Sequence, residues 1–354
     1  MARQVRRTLV PAAVALTFLT GCLIAAPSEA DEPLLAVEPP GAGETDDVQD
    51  GRVLHVSPGG DDGAFRTLER AFDELGPGDT LIVHGGEYRE HIQLVVRPGR
   101  RDAPIRVRPA PGARPVIRGL LSLRGLSWWQ IEGINVTWDG SNHRSQHMVK
   151  LIDGQEWSFT KAELWGARSY AALLVAGSPV RFRLSELHVH DTLASNGLNQ
   201  DHLLYLNCGD GGGIVEHNLL VGSRNGRAIK IGSYELGGPR VSNITVRYNT
   251  MVDNTGPSNI QFNYLASGIR VYRNIMVRPE QDRPNVTAFE LRGSNNVIED
   301  NIGFGGSGVV EAGVTGLVDG GGNRELDPRL SGPDSAQPYK PAAAAAENYG
   351  RWAN

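Results

Sequence analysis

Ile244-Thr-Val-Arg-Tyr-Asn-Thr-Met-Val252 is followed by nearly the same phrase at Ile269-Arg-Val-Tyr-Arg-Asn-Ile-Met-Val277, and this pair decides how the chain folds. Working outward, Gly213-Ile-Val-Glu-His-Asn-Leu-Leu-Val221 and Asn296-Val-Ile-Glu-Asp-Asn-Ile-Gly-Phe304 repeat it, and weaker copies begin at Phe182, Phe159 and Trp129. Aligned on the asparagine slot, the copies fall at Ile134, Leu164, Leu187, Asn218, Asn249, Asn274 and Asn301, in steps of 23 to 31 residues. A motif held in constant phase at this spacing marks a stacked-repeat protein.

A second alternating segment follows each copy, centred on Lys150, Leu174, Tyr205, Lys230, Gln261, Glu290 and Glu311. Leu204-Tyr205-Leu206, Ile229-Lys230-Ile231 and Ile260-Gln261-Phe262 have the period of two expected of strands buried on one face. Gly, Asn, Ser and Pro between the strands leave no room for a helix within a coil, so equivalent strands must pair in parallel with their copies one coil along. That geometry is all-β: a β-solenoid, expected to be a right-handed parallel β-helix. The recurring asparagines suit a turn slot, where Asn tolerates left-handed backbone and stacked copies can bond into a ladder. They read as scaffold.

The amino-terminal segment reads as an export signal over residues 1–30. Arg3, Arg6 and Arg7 precede an apolar run too short and interrupted for a membrane span. Leu19-Thr-Gly-Cys22 matches a lipobox in which Cys22 would be lipidated and hold the protein to a membrane; cleavage after Ala30 is the competing reading. With Cys208 the only other cysteine, no intrachain disulfide is expected in the mature chain. Residues 31–50 carry seven acids and no base, with Pro-Pro and Gly-Ala-Gly inside, as a solvated linker would. Residues 51–350 then form one β-helix domain.

The net charge of −5 becomes about −7 once three arginines and one glutamate leave with the signal. An acidic protein has no general attraction for nucleic acid, so an anionic ligand must meet a local basic cluster. At the start of the fold, Leu68, Ala71, Phe72 and Leu75 make one helical stripe with Thr67 as N-cap and Gly76-Pro-Gly-Asp79 as stop. Such a helix reads as a cap over the open end of the solenoid.

Val56-Ser-Pro-Gly-Gly-Asp, Phe65-Arg-Thr-Leu, Pro77-Gly-Asp-Thr-Leu-Ile-Val, Gly85-Gly-Glu-Tyr-Arg-Glu90 and Ala103-Pro-Ile-Arg-Val-Arg-Pro resemble the opening of bacterial exported right-handed parallel β-helix proteins. That superfamily includes chondroitinase B-like, alginate-lyase-like and pectate-lyase-like enzymes. Asp327-Pro-Arg-Leu, Tyr339-Lys-Pro and the alanines at 342–346 resemble its closing segment, so the likeness spans about residues 53–350. The resemblance implies a polysaccharide as the ligand class, and a monomer is expected. Calcium is used by some relatives, yet the paired acids that hold it there have no counterpart here.

If the leucines and isoleucines of the second segments point inward, then Tyr205, Lys230 and Gln261 point outward on successive coils. Parallel strands lie about 4.8 Å apart, so three rungs span about 10 Å, the scale of one or two sugars. Asn207, Asn263 and Arg292 extend the row, Lys150 precedes it, and His202 and Arg227 approach from the strand starts. Such a strip suits β-elimination on a uronic-acid polysaccharide, which needs a cation for the carboxylate, a base for the adjacent proton and an acid for the leaving oxygen. Lys230 or Tyr205 could be the base, Arg227 or Arg292 could face the carboxylate, and His202 is an alternate base or acid. The other readings are a surface lipoprotein that binds glycan without cleaving it, and a glycoside hydrolase or uronate epimerase. Hydrolysis by two carboxylates needs an acidic pair on one face, whereas Asp201 and Glu290 sit several coils apart. His188, His190 and Asp191 form a second constellation that could ligate a transition metal. Trp129, Trp157 and their neighbours could stack on sugars or fill the core.

Overall fold

The computed structural model describes residues 51–60, 64–142, 146–193, 201–256, 258–280 and 282–353. The expected export segment, Cys22 and the acidic linker lie outside the described residues. Alternating side chains at successive copies of the repeat generate three parallel sheets. The first has 11 strands, from Val53–Val56 to Leu317–Gly321; the second has 10, from Gly86–Tyr88 to Arg324–Glu325; the third has 8, from His91–Val95 to Val286–Phe289. One coil contributes Gly213–Glu216, Leu219–Val221 and Ile229–Ile231, one strand to each sheet in turn. The next repeats the order with Ile244–Arg247, Thr250–Val252 and Ile260–Asn263, each paired in parallel with its equivalent.

Inward rows fill the interior with branched aliphatics: Leu173, Leu204, Ile229, Ile260 and Val286 are all fully buried in neighbouring coils of the third sheet. Trp129 and Trp157 belong to this core, Trp129 edge-on to Phe72 and Trp157 stacked on Phe182. Their indoles are therefore packing groups.

The asparagine ladder forms. Asn218 Nδ2 donates to Asn249 Oδ1 at 2.8 Å, Asn249 to Asn274 at 2.9 Å and Asn274 to Asn301 at 3.0 Å. Asn323 adds a further rung, accepting from Asn301 Nδ2 at 3.0 Å. Each rung also bonds backbone carbonyls of its own turn and of the preceding coil, such as Arg247 O and Val215 O for Asn249. The left-handed residue, however, is the one before each asparagine: His217, Tyr248, Arg273 and Asp300 have φ between 49° and 55°. The strained backbone turns the chain from the first sheet to the second, and the asparagine side chain is free to point inward and bond along the stack.

The helix spans Leu68–Glu74 with Thr67 Oγ1 accepting from Arg70 N–H. Glu90 supplies a second, long-range cap, its carboxylate accepting from the N–H groups of Leu68 and Glu69 at 2.8 and 2.9 Å. Leu68, Ala71 and Phe72 are buried in the core.

Candidate functional site

The third sheet carries the site, and its register is the expected one. Lys150 pairs with Leu174, Leu174 with Tyr205, Tyr205 with Lys230 and Lys230 with Gln261, in one outward row. A row two positions on brings Asn207 and Asn263 to the same flank. The row's continuation differs from expectation. Gln261 pairs with Thr287, in the strand Val286–Phe289, because Phe289 is the register partner of Asn263. Glu290 and Arg292 follow the end of that strand, with Glu290 at φ 46° and Arg292 exposed. Arg292 therefore does not join the row, and the alternation around Glu290 belongs to a turn.

The row points away from the core yet is largely covered. Tyr205 and Gln261 are only 6% and 8% exposed, and Lys230 is half-buried. Tyr205 packs with Ala171 and Leu174 in a small apolar cluster on the outer face of the sheet. Lys230 Nζ lies 4.7 Å from the centre of the Tyr205 ring, a cation–π contact. The Tyr205 hydroxyl and the Oδ1 atoms of Asn207 and Asn263 are buried without a hydrogen-bond partner among the described residues. Buried polar atoms of this kind cost free energy unless something satisfies them.

His202 reaches this cluster through an irregularity. The N–H groups of Leu203 and Leu204 donate to the successive carbonyls of Arg227 and Ala228. Strict alternation fails there, and the His202 ring meets Tyr205 edge-on at 5.7 Å. Its Nδ1 accepts from Arg227 N–H at 3.2 Å and the residue is 2% exposed. Its Nδ1 is thus already engaged by backbone, and its ring is enclosed beside Tyr205. His147, which the sequence reading passed over, lies beside Ala171, the register partner of His202.

The electrostatics are one-sided. Burial, and then the charge of Arg227, pulls the Lys230 ammonium down to about 8. Burial pulls Arg227 to about 10, opposed only by Glu280. Burial and Lys150 hold His147 near 4, against the Ala171 carbonyl. Burial, then Lys230, Arg227 and His147, hold His202 far below its ordinary value. Burial, with Tyr234 and Tyr264 adding to it, pushes the Tyr205 phenol up, so it stays protonated. Neither Lys150 nor Lys230 has an acidic partner among the described residues. Cations gathered out of water in this way favour an anion.

An aromatic rim surrounds the row. Tyr170, Tyr234 and Phe289 are 40%, 65% and 46% exposed, and Tyr264 stands edge-on to Phe289. These rings, unlike the buried Trp129 and Trp157, present faces to solvent. Tyr170, Tyr264 and Tyr234 lie one to three positions outside third-sheet strands, and Phe289 is the last residue of one. Most of residues 192–200, which lead into the strand of His202 and Tyr205, lie outside the described residues. Calcium takes six to eight oxygens; a row of lysines, one phenol and amides does not fit it.

On the second sheet, His188 and His190 share a face, as expected from their spacing, with ring centres 4.4 Å apart. The carboxylate between them is Glu163, the register partner of His188, rather than Asp191. Asp191 bonds the far side of His190, at Nδ1.

No family model matches the sequence, and neither does any curated protein. The fold has similar solved structures. Pectate lyase Pel9A shares 13% identity over 81% of this chain and 84% of its own, at a TM-score of 0.48. A mannuronic-acid-specific family 6 polysaccharide lyase from human gut microbiota shares 16% over 72% of this chain and 64% of its own, at 0.45. An alginate lyase from Paenibacillus sp. str. FPU-7 shares 12% over 75% and 97%, at 0.44. Solved structures similar to this chain thus include pectate and alginate lyases, and the chain is itself an all-β parallel β-solenoid with almost no helix.

Proposed function

We propose that this protein is an exported polysaccharide lyase that cleaves a uronic-acid-containing chain by β-elimination on the outer face of the third sheet. The observation that carries the reading is the half-buried Lys230 set against the Tyr205 ring, with the buried Arg227 near it, in a net-acidic protein. A uronate carboxylate is the anion of matching size, with sugar rings for the aromatic rim. Arg227, beside Lys230, neutralises the carboxylate and so acidifies the proton on the adjacent carbon. Lys230, with its ammonium brought down to about 8, is partly unprotonated near neutral pH and takes that proton. The electron pair left behind forms the carbon–carbon double bond as the glycosidic carbon–oxygen bond breaks. The Tyr205 phenol, held protonated, gives its proton to the leaving oxygen. Lys150 is placed about 14 Å along the row from Lys230 by three strand spacings, in position for a neighbouring sugar.

The test is direct. Purified protein incubated with a panel of uronic-acid glycans is expected to produce an unsaturated product seen by ultraviolet absorbance. A panel that stays silent while one glycan binds would replace catalysis with the second reading, a glycan-binding surface lipoprotein. The contact of Lys230 Nζ with the Tyr205 ring, instead of its hydroxyl, is what favours that alternative. In either case the reading includes export, a right-handed solenoid closed at its start by the 68–74 helix, and a choice between lipidation at Cys22 and cleavage after Ala30. Mass measurement of the mature amino terminus decides the last point.

A further inference from the structure

We propose that Glu163, His188 and His190, on the second sheet, form a binding site for a first-row transition dication of the zinc type that ties two successive coils together. The three donor atoms lie within 4.8 Å of one another, and Glu163 Oε1 is 3.0 Å from His190 Nε2. The fold makes this arrangement without strain. Histidines two apart on the strand His188–His190 project together, and parallel pairing sets Glu163 beside His188 one coil earlier. Two imidazoles and one carboxylate suit zinc, cobalt or nickel and exclude calcium and magnesium, which prefer all-oxygen ligands.

The groups behind the donors aim them. Asp191 Oδ2 bonds His190 Nδ1 at 2.8 Å, which orients the ring and turns Nε2 toward Glu163. A carboxylate on the far nitrogen of a ligating histidine is the common outer partner in metal sites. Trp165 stacks parallel to the His190 ring at 6.5 Å. Arg114 holds Oε2 of Glu163, leaving Oε1 to face the histidines, and Asn135 Oδ1 accepts from Glu163 N–H at 2.8 Å. A cleft of about 330 Å³, lined by Asn135, Lys161, Glu186, His188 and Arg351 among others, adjoins the donors and gives a fourth position access to water.

The third sheet's cations take no part in this site, so the proposal stands or falls apart from lyase activity. The experiment uses untagged full chain, stripped with chelator and titrated with Zn²⁺ by calorimetry and with Co²⁺ by its visible absorption. One ion per chain is expected, with a rise of several degrees in the unfolding midpoint. His188→Gln and His190→Gln should each weaken binding at least a hundredfold. Asp191→Asn should weaken it roughly ten- to a hundredfold. The exposed pair His55 and His84, whose ring nitrogens approach to 3.0 Å, is the competing site; His55→Gln should change nothing. Binding that survives His188→Gln, or that vanishes with His55→Gln, overturns the proposal, as does wild-type protein that neither binds nor gains stability. If a histidine variant fails to fold, Glu163→Gln read by the same titrations carries the test.

Discussion

The first and third sheets both bear cations on their outer faces, and from its middle coils onward the first sheet pairs them with acids, although Arg106 and Arg108 nearer its start join no ion pair among the described residues. On the first sheet, Arg183 and Arg247 both bond the buried Glu216, one from each neighbouring coil. Lys161 rides on Glu132, Arg181 on Glu156 and Arg270 on Glu299. The cleft of about 460 Å³ there, lined by Arg181, Phe182 and Arg183, is walled by arginines already engaged. On the third sheet, Arg124 at a strand end pairs with Asp153 in the same manner, yet Lys150 and Lys230 in the row have no acidic partner among the described residues. A repeat protein solves charge burial coil by coil. Where it leaves the solution out, the missing partner is expected to arrive from outside.

The largest effect should come from exchanging these two cases. Lys230→Met should lower kcat on a cleaved glycan by about a thousandfold or more, since it removes the base. The same variant should hold or raise stability by on the order of 1–2 kcal/mol, because a half-buried ammonium is replaced by an apolar chain of similar shape. Glu216→Ala should do the reverse. It strands two arginines, costs about 1–3 kcal/mol and leaves kcat unchanged. Chemical unfolding and initial rates on both variants decide. Equal loss of activity in the two would erase the distinction between the sheets. Next in size, Asn249→Ala removes a fully buried rung that bonds Asn218, Asn274 and two backbone carbonyls. A destabilisation of about 2–4 kcal/mol is expected, without change in KM once the protein is folded.

The repeats around Asn249 and Asn274 made the solenoid and the 205–230–261 row legible, because period-two alternation and a buried side fix register together. What escaped was local. Leu203 breaks the alternation, so nothing in the sequence placed His202 against Tyr205. His147 carried no repeat signal, and its role depends on Ala171 and His202 in later coils. Val286–Phe289 was read three residues late since Phe289-Glu290-Leu291 alternates as well as the true strand does. The ladder asparagines were assigned to the left-handed turn, but that strain falls on Tyr248 and its equivalents, which have no shared residue type to betray it. Asp191 looked like the third metal donor because it is adjacent in sequence. Glu163 is adjacent in space only once the coils stack.

The third sheet, together with the histidines of the second, should also set the response to pH. The folded values of His147, His202 and His188 all lie below the ordinary histidine range. Between about pH 6.5 and 4 the unfolded chain therefore binds more protons, and stability present above 6.5 is lost as pH falls through that window. His190 opposes this: burial lowers it, but its bonds to Glu163 and Asp191 win and raise it, so its contribution is held in acid and lost as pH rises. Unfolding free energies measured across this range should fall toward pH 4, by several kcal/mol at most, a loss that His147→Gln reduces. On the alkaline side, Lys230 sits near 8 in the folded state and near its ordinary 10.5 when unfolded. Stability should rise between those values, and kcat/KM should rise with a limb near pH 8 as the amine is freed. A flat profile across pH 8 with full activity would remove Lys230 as the base.

The smallest effects belong to the rim, and they sharpen the comparison from the ligand's side. Phe289 is half exposed beside the third-sheet row, whereas on the first sheet Phe182 is sealed in the core. Phe289→Ala should raise KM a few-fold, about 1 kcal/mol of stacking, with kcat nearly unchanged and the unfolding midpoint barely moved. Phe182→Ala, by contrast, should cost about 3–5 kcal/mol of stability with no change specific to substrate. Salt separates the remaining contributions. Charges screened over about 10 Å at 0.1 M should let KM climb with ionic strength in wild type and in Phe289→Ala alike. Lys150→Ala should flatten that climb, because its charge meets the polymer at distance rather than at the reacting sugar. A salt response unchanged in Lys150→Ala would shorten the binding row to the coils around Lys230.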